Sequence, residues 1–426
     1  MSSYFLLASR TIPAENCYHM KPAPNKRPEL VAPAGNLEKL KCAVLYGADA
    51  VYFGGAAHNL RIQSDNFSRE EIREALRFCG DHGVKTIFLM NSFLREKEIV
   101  DAARYISDIR DLAFDAVMIS DPGMMALIQD SGMRCRIHLS TQMSTLNHLA
   151  VRFWHRAGIH RIVLARETTL EEIRMIRDTT DAEIEIFVHG ALCIAYSGRC
   201  LLSRYLTGRD ANKGDCAQAC RWRYSLVEEK RQGSHIDIIE HAQGTEIISS
   251  KDLCLIERVR EYIDAGVDAF KIEGRMKSIY YTANTTRIYR HAIESTRSGA
   301  FEQHLPFYRE ELDLVSHRPY TGDLFNEFDG TGFTSIPYIK KALFLGYKVG
   351  ADAGGAALIK THNPIYLNDT IEAISPITDA IQDGTYIVQS ITDEENKSAD
   401  MAKPNSIYRI KFDKELGDNA ILRRRL

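Results

Sequence analysis

Eight short apolar runs recur between residues 28 and 295, and no other feature constrains the fold of this chain as tightly. They read ELVAPAGN (29–36), DAVYFGG (49–55), VKTIFLMN (84–91), DAVMISD (115–121), CRIHLSTQ (135–142), HRIVLARE (160–167), EIEIFVHG (183–190) and DAFKIEG (268–274). Stretches such as SREEIREALRFCGDHG and TLEEIRMIRDT separate them, with apolar residues at helical spacing. Strands that are apolar throughout must be covered on both faces, which is the condition of a parallel sheet packed by helices. YGADAVYFGG, FDAVMISD, GIHRIVLARE and AGVDAFKIEG share one form, a helix end, a polar turn and a strand. Eight such units predict an α/β fold, a TIM-like (β/α)8 barrel, with an open or incomplete barrel as the alternative. No G-x-G-x-x-G follows the first run, which argues against a dinucleotide-binding sheet.

The regularity breaks in two places. Residues 190–245, between the seventh and eighth runs, are far too long for a simple crossover. This insertion starts at the C-terminal end of a strand, the face on which barrel sites are built. From about 340 the pattern becomes short strands between Gly, Asn, Asp and Pro turns, as in DTIEAISP and GTYIVQSITD. The expected organisation is an N-terminal extension (1–27), a barrel domain (28–300), a linker or packing segment (301–344) and a small C-terminal β-barrel (345–426). The extension contains an apolar FLLA patch without a basic segment before it, so no export signal is expected. With no apolar run long enough to span a bilayer, a cytoplasmic protein without a membrane partner is expected. A formal net charge of -3 gives no general attraction to nucleic acid, so any such site must be a local basic patch. DNA is not an expected partner.

Nine cysteines, an odd number in a chain without an export signal, argue against a disulfide framework. Cys42, Cys79 and Cys135 lie in apolar segments and read as small buried side chains. Cys193, Cys200, Cys216 and Cys220 are different: they crowd the insertion with spacing C-x6-C-x15-C-x3-C, and Cys254 follows. Such clustering points to metal ligation. Irregular all-cysteine spacing suits an iron–sulfur cluster, while zinc and redox-active or incidental cysteines remain open, and five candidates leave the ligand set ambiguous.

Arg199, Arg204, Arg209, Lys213, Arg221 and Arg223 share the insertion with Tyr196, Tyr205, Trp222 and Tyr224. Guanidinium groups bind carboxylate and phosphate through a fork, and rings among cations suit an unpaired RNA strand; a solvated basic loop would look the same. His189 ends the seventh strand and is expected over the barrel mouth. KIEGRMKS (271–278) ends the eighth and places Lys271, Glu273, Arg275 and Lys277 there, Lys271 and Glu273 on one side of the strand as an internal ion pair. Asp121 and Gln142 also end strands at that face.

EIFVHGALCIAYSGRCLLS (185–203) resembles the signature of the collagenase-like peptidase family U32, and ELVAPAGN, GADAVYFG, HLSTQ and GVDAFKIEGRMKS resemble its other blocks in the same order. The resemblance covers roughly residues 28–426. The peptidase name fits the residues poorly, since no nucleophile is visibly paired with a base. The resemblance instead implies an iron–sulfur RNA hydroxylase, closest to the branch that forms 5-hydroxyuridine at the transfer-RNA wobble position with prephenate as oxygen donor. A peptidase, or hydroxylation of ribosomal RNA or of the ubiquinone ring, is the alternative. It implies a 4Fe-4S cluster on Cys193, Cys200, Cys216 and Cys254, with Cys220 as the alternative fourth ligand. Transfer RNA is the implied partner. Arg199, Arg204 and Arg275 are then expected to grip the donor's carboxylates, and His189, Tyr196, Lys271 and Glu273 to complete the site. Arg209, Arg221, Arg223 and a basic tail of Arg423, Arg424 and Arg425 are expected on RNA phosphates.

Overall fold

The apolar runs fold into strands β1 (Glu29–Pro33), β2 (Ala50–Phe53), β3 (Lys85–Met90), β4 (Ala116–Ile119), β5 (Arg136–Leu139), β6 (Arg161–Val163) and β7 (Glu183–Ala191). The structure, a computed structural model, describes residues 27–60, 66–192, 199–219, 251–322, 338–352, 354–376 and 383–426. It also gives the backbone of four short strands, β8 (Leu226–Val227), β9 (His235–Ile236), β10 (Ile239–His241) and β11 (Gly244–Glu246). β12 (Asp252–Cys254) and β13 (Ala269–Ile272) follow. β1 to β7 pair in parallel in sequence order, and β13 pairs in parallel with both β7 and β1, which closes an eight-stranded barrel.

Alternation along each strand supplies both faces. Val31, Tyr52, Leu89, Met118 and Val163 fill the interior, while Leu30, Val51, Phe88, Val117 and Ile162 turn out against the helices. The helices are α1 (Leu37–Leu45), α2 (Arg69–Asp81), α3 (Ile99–Ile109), α4 (Pro122–Ser131), α5 (His148–Arg156), α6 (Leu170–Thr179), α7 (Leu202–Thr207), α8 (Val259–Asp264), α9 (Ile279–Ser298) and α10 (Phe301–Asp313). Their starts are written in the sequence: Ser68 with Glu71 and Thr169 with Glu172 form capping boxes. Asp121 caps α4, accepting from the amides of Gly123 and Met124, and also accepts from the amide of Leu94. Its carboxylate is therefore engaged by three backbone amides at the loop ends.

The segment expected as linker or packing has regular structure of its own, and the expected C-terminal β-barrel is present. Residues 301–344 contain α10, which packs on α9, and β14 (Tyr320–Thr321), which pairs with β12; they extend the barrel domain. The C-terminal domain has strands β15 (Ala342–Ala351), β16 (Ala357–Thr361), β17 (Ile365–Tyr366), β18 (Thr370–Ile374), β19 (Gly384–Thr392), β20 (Met401–Ala402), β21 (Ile407–Phe412) and β22 (Ile421–Arg425). Six of them close a barrel in the order β15-β16-β21-β19-β18-β22 around Leu345, Ile359, Val388, Ile410 and Leu422.

Arg423, Arg424 and Arg425 are accordingly not a tail. They form β22, and each is paired: buried Arg423 with Glu311 (2.7 Å) and Glu372 (2.8 Å), Arg424 with Asp369, and Arg425 with Glu372 (2.7 Å) and Glu310. Because Glu311 and Glu310 belong to α10, Arg423 and Arg425 fasten the C-terminal barrel to the barrel domain, while Arg424 pairs within it.

Candidate active site

The floor of the mouth is ionic. Lys271, on β13, pairs with Glu185 of β7 at 2.6 Å, both essentially buried. Its ammonium also lies 4.4 Å from the centre of the Tyr52 ring, whose hydroxyl donates to the carbonyl of Ile272. Burial pushes the Lys271 ammonium pKa down, and Glu185 opposes that shift. Below them Arg161 ties Glu29 (2.7 Å), Glu183 (2.6 Å) and Glu185 (3.4 Å) together. The expected Lys271–Glu273 pair is thus replaced by a cross-strand pair. Glu273 ends β13 with its amide on the carbonyl of His189 and its carbonyl on the hydroxyl of Tyr281.

His138, on β5, was not singled out by its sequence. Its imidazole is buried, Nδ1 has no hydrogen-bond partner among the described residues, and burial, then Arg161 and Lys271, hold its pKa well below the usual histidine range. Asn91 Oδ1, at the end of β3, is likewise buried without a partner. Both orphaned atoms belong to strands that end at the mouth, and buried polar atoms without partners mark places where a structure expects something more. The signal in the sequence was alternation: His138 faces inward two residues before Ser140.

His189 lies elsewhere. Phe187 pairs with Lys271, but the register then shifts and His189, not Val188, pairs with Ile272. The extra residue turns His189 out of the barrel. There it meets Tyr289 (Nδ1 to hydroxyl, 3.4 Å) and Tyr320 (Nε2 to hydroxyl, 3.5 Å), with the Tyr281 ring alongside. Burial lowers its pKa to about 3, an effect that Asp252 only partly offsets. A group so depressed stays neutral throughout the physiological range. Its imidazole resonances are expected to stay fixed between about pH 5 and 8, where a free histidine titrates. A midpoint inside that window, measured by NMR, would contradict this placement. Gly190 makes the crossing possible: with φ at +108°, its hypothetical Cβ would sit 2.5 Å from the carbonyl oxygen of Glu273.

The insertion leaves β7 and crosses the mouth. Arg199 Nε donates to the carbonyl of Gln142 (2.8 Å), beyond β5, and the Gln142 side chain accepts from Ser120 at the end of β4. Lys213 pairs with Glu98 in the loop after β3, and Gly214 packs against Asn59 and Leu60 after β2. On that same side Arg275 is buried and donates to Asn59 (3.1 Å) and Asn66 (3.2 Å). Gly54 leaves room there: a Cβ would lie 2.8 Å from Asn59 Cγ and force that side chain to move. Arg204 is half exposed and pairs with Asp210 (3.0 Å), and Arg209 pairs with Asp215 (2.8 Å). The three arginines expected to share one clamp therefore do not converge. Arg275 stands by β2 and Arg199 by β5, across the mouth, and Arg204 lies on the outer surface of the insertion.

Cys200 is buried and Cys216 exposed; Asn212 donates to the carbonyl of Cys200 (3.0 Å), and the Ala217 amide to Ser203 Oγ (2.9 Å), so the two segments are stitched together. Cys254 returns by another route. β12 runs antiparallel to the end of β7, pairing Cys254 with His189 and Asp252 with Ala191, two residues before Cys193. Burial raises the Cys254 thiol to about 11, and its sulfur lies 3.9 Å from the Tyr289 hydroxyl. Coordination to a metal deprotonates a thiol outright, so this value does not bar it from a ligand set. All three are free thiols, the soft donors that an iron–sulfur cluster takes. Among the described residues, no three His, Cys, Asp or Glu side chains are grouped closely enough to hold a metal. Cys193, Cys220, Tyr196, Arg221 and Arg223 lie outside the described residues.

A closed (β/α)8 barrel with a thiol-bearing insertion over its mouth and a β-barrel fastened behind it defines the class of protein. The chain belongs to peptidase family U32: the model of that family matches residues 35–331, and the model of the peptidase family U32 C-terminal domain matches residues 340–423. It is 36% identical over 411 residues to tRNA hydroxylation protein P1 of Bacillus subtilis, covering 94% of this chain and 95% of that one. It is 34% identical to tRNA hydroxylation protein P of Escherichia coli, covering 82% and 86%. A collagenase of Porphyromonas gingivalis is 33% identical, covering 83% and 88%.

Proposed function

We propose that this protein hydroxylates RNA, forming 5-hydroxyuridine at the wobble position of transfer RNA, with a 4Fe-4S cluster as cofactor and prephenate as oxygen donor. One observation carries the reading: relatives named for tRNA hydroxylation align with this chain over nearly its whole length. The cluster would be held by Cys193, Cys200, Cys216 and Cys254, and when bound it supplies one-electron redox chemistry. The chain's own residues do the rest. The insertion roofs the mouth between Gln142 and Glu98 and limits water there. Buried Arg275 offers a guanidinium to a donor carboxylate, since a buried anion needs a paired cation. Lys271 and Glu185 fix the polar floor.

The collagenase among the relatives favours a peptidase as the second reading. Against it, among the described residues no cysteine or serine side chain is hydrogen-bonded to a histidine ring, and Cys254 holds its proton to about pH 11. The test is nucleoside mass spectrometry of RNA from a deletion strain. We expect 5-hydroxyuridine to disappear from transfer RNA and to return with the wild-type gene but not with Arg275→Lys. Unchanged transfer RNA with an altered ribosomal RNA would reassign the substrate, and unchanged RNA throughout would end the reading.

A further inference from the structure

We propose that the outer face of α7 is a stacking platform for one unpaired base of the RNA, next to the base that enters the barrel mouth; this rests on the RNA reading above. Two kinds of observation meet on this short helix. The first is apolar exposure. Tyr205 is 86% exposed and Leu201 72%, and the Tyr205 amide bonds to the Leu201 carbonyl, so the two side chains lie one turn apart on one face. Leu206 is exposed beside them. A tyrosine bared to this extent, on an element that roofs the mouth, contributes nothing to the core.

The second observation is charge. Residues 199–219 carry Arg199, Arg204, Arg209 and Lys213 against only Asp210 and Asp215. Arg204 and Arg209 each keep part of their guanidinium at the surface while paired with Asp210 and Asp215. A phosphate can meet the exposed side of either guanidinium without displacing its carboxylate. An exposed ring on a segment that also presents part-exposed guanidinium groups fits a single strand, whose base stacks on the ring while its backbone meets the cations. A duplex keeps its bases stacked and offers no free face. The occupant this surface selects is thus an unpaired nucleotide, as in a loop of folded RNA.

The test uses the full-length protein with Tyr205→Ala, Tyr205→Phe and Tyr205→Trp, and as probes an oligouridylate and a duplex RNA of equal length. In Tyr205→Trp the added indole fluorescence should be quenched by oligouridylate and not by duplex. Tyr205→Ala should weaken oligouridylate binding about tenfold or more, the loss expected of one stacked base, while Tyr205→Phe stays near wild type. Wild-type affinity in Tyr205→Ala would overturn the proposal. So would a change in solution mass on Tyr205→Ala with RNA binding intact, which would make this face a contact between copies of the chain. Should wild type bind oligouridylate and Tyr205→Trp be quenched as expected, yet wild type restore no hydroxylated nucleoside to the deletion strain, the platform stands and the hydroxylase reading fails.

Discussion

Under the proposed cluster assignment, serine at Cys200 or Cys216 is expected to remove iron and visible absorbance from the anaerobically purified protein, and with them its activity. A serine hydroxyl cannot replace a soft thiolate in such a site. The same loss is expected for Cys193→Ser and Cys254→Ser. Cys254 is the informative position, because β12 returns it to the stretch of β7 that leads into Cys193. Cys79 is the internal control: its thiol is wholly buried in the outer core of the barrel, so its replacement should leave iron content unchanged. Iron and sulfide analysis decides the matter without reference to activity. Full iron in Cys254→Ser combined with loss in Cys220→Ser would move the fourth ligand to Cys220.

Glu311→Ala is expected to cost about 3–5 kcal/mol of stability, the scale for removing one partner of a buried ion pair. Glu311 is buried on α10 and receives Arg423 from β22 (2.7 Å) and Arg287 from α9 (2.9 Å), while the Tyr280 hydroxyl also accepts from Arg423 (3.2 Å). Removing the carboxylate leaves two arginines in the interface, retaining Glu372 and Asp383 as their counter-charges. Urea unfolding checks the value. Arg309→Ala, which breaks the exposed Arg309–Glu257 pair, is the comparison and should shift the midpoint little. The pH dependence follows from the carboxyl itself. Burial alone would raise its pKa, but the hydrogen bonds and charges of Arg423 and Arg287 outweigh that and hold it below the usual carboxylate value. A depressed carboxylate stabilises the fold above its unfolded pKa of about 4.3 and gives that up as the pH falls further. The difference between wild type and Glu311→Ala should therefore shrink below about pH 4. A difference independent of pH would mean that packing, not charge, holds the interface.

The eight barrel strands were legible because double-sided burial writes itself as unbroken apolar runs, and the capping boxes marked where helices start. Residues whose role depends on a distant partner were not legible. Arg423 reads as part of a basic tail until Glu311, far away in the chain, is seen opposite it. Likewise, α10 was hidden because Pro306 lies inside it and discourages a helical reading. His189 was misplaced by one residue of register: strict alternation would aim it inward, and no local pattern announces the bulge beside Val188. His138 was passed over as one polar residue in an apolar run, and only the inward neighbours Arg161 and Lys271 give it meaning. The insertion's cysteines stood out by their spacing, but spacing alone does not say which of them share a centre, because that depends on how the loops fold.

The antiparallel return of β12 has a consequence for how this architecture can vary. Ala191 and Asp252 are opposite one another in the sheet, so the excursion between them begins and ends at the same place on the barrel. The sheet is continued through those two anchor points whatever the length of chain between them, and the insertion is further tied by contacts with the loops at Gln142, Glu98 and Asn59. Lengthening such a loop is cheap, since doubling it adds only about 0.6 kcal/mol of closure entropy. The roof can therefore be rebuilt for a different polymer while the ionic floor is left alone, and one barrel can serve many substrates by exchanging a single detachable part.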